Sequence, residues 1–378
     1  MIYHVLNANV FHHVPGIIEH TLQYADKTNI NGADEHFFLL TTFTNCPYIT
    51  KNNFSYEIYK QIFKKNNCVN YKFVNNNIDF LHSLFKISKQ DKLILHSEFS
   101  LFGHLSFFWL FLFLRGEKYC KRVNNIKWGV SDTLKIKSNI IHKILFKIKK
   151  HVLNNFKFVI TLSSEDEVKI KNQYNLTNVI TANYIADTYN EFKTKTKNDN
   201  TKNETIKIMI AHSGFEQNNH IQTFKLLERF KNENIQIICP LSYGNSDYVK
   251  NVIAEGERIF KEKFIYFLDL LPRNDYINLL ASIDIFIANT SVQTSLYVIH
   301  FGLCTGMKMY LSGNNYNSIK LLGFKTNHVK ELDTISFVEF TSPIKKDWLE
   351  NNDKKAKEIF SADERIKIWR EIYDYNNQ

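Results

Sequence analysis

In the first half of the chain, short apolar runs at 2–6, 37–42, 92–96, 158–162 and 179–182 alternate with longer helix-type runs at 17–24 and 101–114. This alternation predicts parallel strands with crossover helices. Ser163 or Ser164 opens a further helix, with Glu165 and Glu167 in its first turn. From 190 to 204 the pattern dissolves into Lys, Thr, Asn and Asp, as in a solvated linker. The rhythm then restarts, with strands expected at 206–210, 235–239, 264–268, 285–288 and 307–311 and helices near 221–230, 249–260, 276–283 and 294–303. The fold class read from this is α/β: two doubly wound, Rossmann-like domains, 1–189 and 205–345, facing a cleft between the carboxyl ends of their strands, where open sheets place ligands. A helical segment at 346–378 completes the chain.

Composition narrows the class without fixing a function. At 378 residues the chain exceeds what one core organises. A hydrophobic content of 44% with 23% charged residues belongs to a globular protein, not a disordered one. The net charge of +10 favours an anionic partner, whether nucleic acid, a membrane surface or a phosphorylated ligand. Cys46, Cys68, Cys120, Cys239 and Cys304 are scattered, with no CxxC or Cys/His spacing, so a reduced cytosolic protein without structural zinc is expected. The start of the chain reads as a strand rather than a secretion signal, and the apolar run at 101–114 is shorter than the roughly 20 residues of a spanning helix.

Several loops between strand and helix carry candidate chemistry. His212-Ser213-Gly214 follows a strand and precedes a helix, so backbone N–H groups at Ser213 and Gly214 and the helix dipole suit a phosphate; a plain tight turn explains the same residues. Asn289, Thr290, Gln293 and Thr294 lie in a second such loop, where amides and hydroxyls suit a diphosphate, or where Thr290, Ser291 or Thr294 simply caps the helix. Nothing matches GxGxxG or a P-loop. Tyr243, after Pro240-Leu241-Ser242, can stack on a base or contact a ribose, or belong only to a turn. Arg273 is a candidate phosphate ligand or a surface ion pair.

In the first half, His12 and His13 offer a general base for an acceptor hydroxyl, with loop packing as the alternative. Asp132 can take a proton, hold a sugar hydroxyl or cap a helix; Trp128 can stack on a sugar face; Glu98 is a further acid/base or acceptor-binding candidate. Between 135 and 150, Lys135, Lys137, Lys143, Lys147, Lys149 and Lys150 accompany Ile140, Ile141, Ile144, Leu145, Phe146 and Ile148. Such a basic amphipathic helix can lie on anionic lipid, bind RNA, or be the solvated face of a core helix. The aromatic run Phe107, Phe108, Trp109, Phe111 and Phe113 favours the membrane reading, with no nucleic acid as partner.

Taken in order, these segments resemble the TDP-N-acetylfucosamine:lipid II N-acetylfucosaminyltransferases, glycosyltransferase family 56, of enterobacterial common antigen synthesis. His4-Val5-Leu6 with His12-His13 resembles that family's opening strand and His-His loop, and Trp128-Gly129 with Asp132 its Trp-Gly-Ala-Asp loop with one residue inserted. His212-Ser213-Gly214 through Asn219-His220 is similar to its Asn-Ser-Gly…Asn-Glu-His, and Pro240-Leu241-Ser242-Tyr243 to its Pro-Met-Gly-Tyr. Asp275-Tyr276 through Leu279-Leu280 and Asp284 is similar to its Asp-Ala-Tyr-Leu-Ala-Leu-Leu…Cys-Asp. Departures fall at Ser291-Val292-Gln293-Thr294, for Gly-Ile-Gly-Thr, and at Leu311 to Tyr316, for Asn-Arg-Glu-Asn-Pro-Phe.

The resemblance implies a GT-B glycosyltransferase working without a metal or other cofactor. Its donor is a nucleotide diphosphate sugar, TDP or UDP, on the second domain. Its acceptor is a polyprenyl-diphosphate-linked saccharide on the first, at the cytoplasmic face of a bacterial inner membrane. By analogy with two-domain transferases, the last helix is expected to return to the first domain. Rival expectations are a GT-B-like nucleotide-sugar epimerase, which needs no acceptor, and a basic nucleic-acid-binding protein, which would show a recognition module.

Overall fold

The computed structural model describes residues 1–10, 14–25, 35–43, 56–88, 90–97, 106–127, 140–184, 186–195 and 205–373. Contacts divide the chain into two compact units, the second formed by Asp187–Ala362 and the first including the chain from Asp363 onward. The expected linker at 190–204 thus begins inside a helix, Thr188–Lys193, that belongs to the second unit.

In the first unit, strands β1 (Ile2–Asn7), β2 (His36–Thr41), β3 (Tyr71–Val74), β4 (Lys92–His96), β5 (Val123–Lys127), β6 (Phe158–Thr161) and β7 (Val179–Thr181) form a parallel sheet in the order β3-β2-β1-β4-β5-β6-β7. One face buries Val5, Leu39, Leu93, Leu95, Val123 and Val159 against Leu84, Phe108, Leu112 and Val152 from helices Asn77–Lys86, Ser106–Arg115 and Ile140–Asn154. The opposite face carries a row of three imidazoles: His36 Nδ1 lies 2.8 Å from His4 Nε2, His4 Nδ1 lies 3.0 Å from His96 Nε2, and His96 Nδ1 lies 3.1 Å from the Tyr184 hydroxyl.

The His36 Nε2 at the far end has no hydrogen-bond partner among the described residues. An orphaned lone pair is cheaper to bury than an orphaned N–H, so each imidazole donates toward Tyr184. Burial holds all three rings neutral: His4 is lowered well below the usual imidazole range, with His36 and His96 adding to the effect, His36 falls to about 4 and His96 to about 3.

The helix Ala362–Tyr373 covers this row. Tyr373 meets His4 and His36 edge-on, while Tyr184 stacks on both His96 and Trp369. Trp369 Nε1 donates to the Asn183 carbonyl at 2.7 Å, and Arg365 Nη1 donates to the Ala186 carbonyl at 2.9 Å. The preceding helix, Lys346–Phe360, stays with the second unit, where Phe360 packs on His300 and Phe324. The segment expected at 346–378 is therefore two helices with different allegiances.

In the second unit, β8 (Ile206–Ile210), β9 (Ile235–Pro240), β10 (Phe264–Phe267), β11 (Ile285–Ala288), β12 (Lys308–Leu311) and β13 (Asn327–His328) form a parallel sheet in the order β10-β9-β8-β11-β12-β13. Both faces are covered, which is why the strands read as near-continuous apolar runs. Ile208, Ile210, Ile285 and Ile287 enter one core with Phe224 and Leu332; Met209, Phe286, Ala288 and Met309 enter the other with Phe301 and Phe360. The order in which strands are added reverses between β8 and β11, β9 and β10 lying to one side and β12 and β13 to the other, so their carboxyl ends define a topological switch point.

Candidate active site

Four loops meet at the carboxyl ends of β8, β9, β11 and β12. The β8 and β9 loops touch through two glycines: the Gly214 N–H donates to the Tyr243 carbonyl at 2.7 Å, and the Asn245 N–H to the Gly214 carbonyl at 2.9 Å. The Gly214 amide, expected to face a phosphate, is therefore spent on the loop itself. Ser213 is fully buried, its hydroxyl and carbonyl accepting from Asn218 Nδ2 at 3.0 and 2.7 Å. It too is structural in this state. Burial pushes the Tyr243 phenol well above its usual range, with a Ser213 hydrogen bond acting the other way, so Tyr243 meets any ligand as a neutral ring.

The β8 and β11 loops are joined by His212. Its Nδ1 lies 2.7 Å from Ser295 Oγ, and Thr294 Oγ1 lies 3.3 Å from each ring nitrogen. Asn219 Nδ2 adds a bond to the Asn289 carbonyl at 2.9 Å. From the β12 side, Ser312 Oγ accepts the Thr290 N–H at 2.8 Å and Asn315 Oδ1 accepts the Thr294 N–H at 3.1 Å. The sequence-expected amides of Thr290 and Thr294 are thus occupied, because side chains beyond β12 fold onto the loop.

Free donors lie one step further along. The helix Leu296–Thr305 starts from Ser295 at φ +58° with no side-chain cap. Among the described residues, no acceptor takes the first-turn amides of Leu296 and Tyr297. These uncapped N–H groups and the helix dipole give the switch point an opening whose polarity suits an anion. Gln293 Oε1 beside it is buried and unpaired.

The other expected opening, at His220–Leu227, is partly closed: the His220 N–H donates to the Tyr248 hydroxyl at 3.1 Å, and burial lowers the His220 imidazole to about 4. Arg273 is exposed and forms an ion pair with Glu191 within the second unit. Substituting Arg273→Ala is accordingly expected to change nucleotide affinity by less than about fivefold in a titration with UDP or TDP.

His12, His13, Glu98, Trp128 and Asp132 lie outside the described residues. Among the described residues, no group of three or more His, Cys, Asp or Glu side chains is placed to hold a metal ion. Sequence reasoning gave His212 no role of its own, although it heads the first candidate segment, and met Ser312 and Asn315 only within the stretch 311–316 that departs from the family pattern. On the expected membrane face, Ile140, Ile141, Ile144, Leu110, Phe113 and Leu114 are exposed, as are Lys143 and Lys147. Lys149 is not part of that face, being buried with its ammonium over the Trp109 and Tyr174 rings. No helix among the described residues is long and apolar enough to cross a membrane.

Two doubly wound parallel sheets define the GT-B fold. Solved structures agree on the fold. A glycosyltransferase from Rickettsia africae ESF-5 superposes with a TM-score of 0.65 at 12% identity, covering 98% of this chain and 97% of that one. Anabaena Alr3699/HepE in complex with UDP gives 0.64 at 12% identity over 98% of each chain. An E. coli trehalose-6-phosphate structure bound with UDP-2-fluoro glucose gives 0.60 at 10% identity, over 99% and 98%. The chain belongs to glycosyl transferase group 56, described as 4-alpha-L-fucosyltransferase, whose family model matches residues 1–316.

Proposed function

We propose that this glycosyltransferase moves an N-acetylated deoxy-amino sugar from TDP or UDP to a polyprenyl-diphosphate-linked saccharide at the cytoplasmic face of a bacterial inner membrane, in surface polysaccharide synthesis. The observation that carries the reading is the uncapped start of Leu296–Thr305 at the switch point, whose free N–H groups suit the charge that a leaving diphosphate accumulates. Family membership and the UDP held by the Anabaena structure support a nucleotide sugar as the donor.

In the proposed mechanism His12, His13 or Asp132 takes the proton of the acceptor hydroxyl as the sugar carbon–oxygen bond forms, and the departing nucleoside diphosphate is stabilised by the Leu296 and Tyr297 amides. Trp128 and Glu98 orient the acceptor; Tyr243 contacts the nucleoside. The test is turnover of TDP- and UDP-sugars with and without a polyprenyl-diphosphate-linked saccharide. Release of TDP or UDP only when the lipid acceptor is present is expected; isomerisation of the nucleotide sugar alone would establish an epimerase instead.

A lipid-linked acceptor fits the exposed aliphatic groups of Ser106–Arg115 and Ile140–Asn154 with lysines beside them. Each lysine near an anionic surface contributes about 1 kcal/mol, so Lys143→Glu with Lys147→Glu is expected to weaken binding to phosphatidylserine-containing vesicles by at least ~tenfold. Vesicle sedimentation measures this, and equal binding by the double variant would refute the assignment of this face.

A further inference from the structure

One buried amide beside the open helix start has an unused end. Asn315 stands in the first turn of Gly313–Leu321 and is 1% exposed. Its side chain reaches across to the β11 loop, where Oδ1 accepts the Thr294 N–H at 3.1 Å. An N–H donor identifies its partner as the amide oxygen, so the other end is the NH2 group, and Nδ2 has no acceptor among the described residues. Gln293 Oε1, in the same loop, is also buried and unpaired. Buried polar groups are satisfied in the great majority of cases, so two exceptions flanking one uncapped helix start call for an explanation.

Three neutral N–H donors belong to this short stretch: the Asn315 NH2, on the side chain that holds Thr294, and the amides of Leu296 and Tyr297 that follow it. These donors match an oxygen-rich anion, while the Gln293 oxygen is left to accept from the ligand's own O–H or N–H groups. Both unpaired side-chain atoms are closed off from water, so a ligand reaches them with a shift of the loop 291–295, which ends on Ser295 at φ +58°. Relief of the orphaned donor then favours the bound arrangement over the free one.

We infer that Asn315 is a donor-binding residue, its Nδ2 donating to a phosphate oxygen of the nucleoside diphosphate while its Oδ1 keeps the β11 loop in place. This rests on the reading of the opening as the donor site. Asn315→Asp separates the two roles, because a carboxylate still accepts the Thr294 N–H but has no hydrogen to give. Asn315→Ala removes the donor without adding charge.

The experiment is calorimetric titration of the full chain with UDP and with TDP, at low salt and at about 1 M NaCl, where the screening length falls to about 3 Å. For whichever nucleotide the wild type binds, both variants are expected to bind at least ~tenfold more weakly, at either salt concentration. Asn315→Asp should do so with its Tm within about 3 °C of wild type. Unchanged affinity in either variant, or affinity of Asn315→Asp restored by salt, overturns the inference and leaves Asn315 a loop support. A wild type that binds neither UDP nor TDP overturns the donor reading itself, and the inference with it.

Discussion

Acidification from pH 7 to pH 5 is expected to remove about 5 kcal/mol of stability through His4, His36 and His96 alone, a large share of the roughly 5–15 kcal/mol typical of a folded domain. Well above pH ~6.5 the three rings are neutral in both the folded and unfolded chain and contribute no pH dependence. Below it the unfolded chain takes up protons that the folded one refuses, since burial lowers His36 to about 4, His96 to about 3 and His4 well below its usual range. Stability therefore falls with pH, by up to about 1.4 kcal/mol per unit for each ring, until the folded values are reached.

The row has no means of easing this, because its neighbours Tyr373, Tyr184 and Phe38 are neutral rings and the amino terminus repels a charged His36. Urea unfolding at pH 7, 6 and 5 measures the slope. Replacing His4→Gln should flatten it by about one third; a variant slope equal to that of the wild type would mean the rings are not held neutral. His220 in the second unit, lowered to about 4, adds a separate and smaller dependence of the same sign.

Gly244→Ala should both destabilise the second unit and abolish tight nucleotide binding. Gly244 sits at φ +142°, and a Cβ there would lie 2.2 Å from the Gly214 carbonyl oxygen and 2.3 Å from its carbon. Both obstacles are backbone, so no rotamer change makes room. The β8 and β9 loops would have to separate, breaking the Gly214–Tyr243 and Asn245–Gly214 bonds and moving Asn245, which caps Ser246–Phe260. Strain and lost bonds of this type amount to about 2–4 kcal/mol. The site consequence follows because Ser213 and Tyr243 are placed by the same contact. Denaturant midpoints and UDP or TDP titration check the two halves, and a variant matching wild type in both would show that the glycine contact is dispensable.

Much of the second unit was legible. Strands β8, β9, β11 and β12 announce themselves as apolar runs because both faces of their sheet are buried, and the helices His220–Leu227 and Ser246–Phe260 each bury one stripe, whereas Leu296–Thr305 is buried all round from Val298 to Cys304. Strand β5 was not legible, since Val123-Asn124-Asn125-Ile126-Lys127 places buried amides where apolar residues were sought. Strand β13 is the dipeptide Asn327–His328, held by pairing with β12 and without any pattern of its own. Lys346–Phe360 and Ala362–Tyr373 look alike as amphipathic helices; only the aromatic and hydrogen-bonding partners at Phe360 and Trp369 assign them to different units.

The candidate site divides along the same line. Sequence alone determined that two doubly wound sheets would form and that polar loops would follow β8 and β11, because periodicity and loop chemistry are local properties of the chain. Which N–H groups stay open there was decided only by the tertiary structure. The Thr294 amide is taken by Asn315, 21 residues later, and Ser295 is held by His212, 83 residues earlier. Hydrogen-bond satisfaction depends on partners brought together by sheet order, which no local pattern encodes, so the open donors turned out to be Leu296 and Tyr297 rather than the serine, glycine and threonines that the loop composition pointed to.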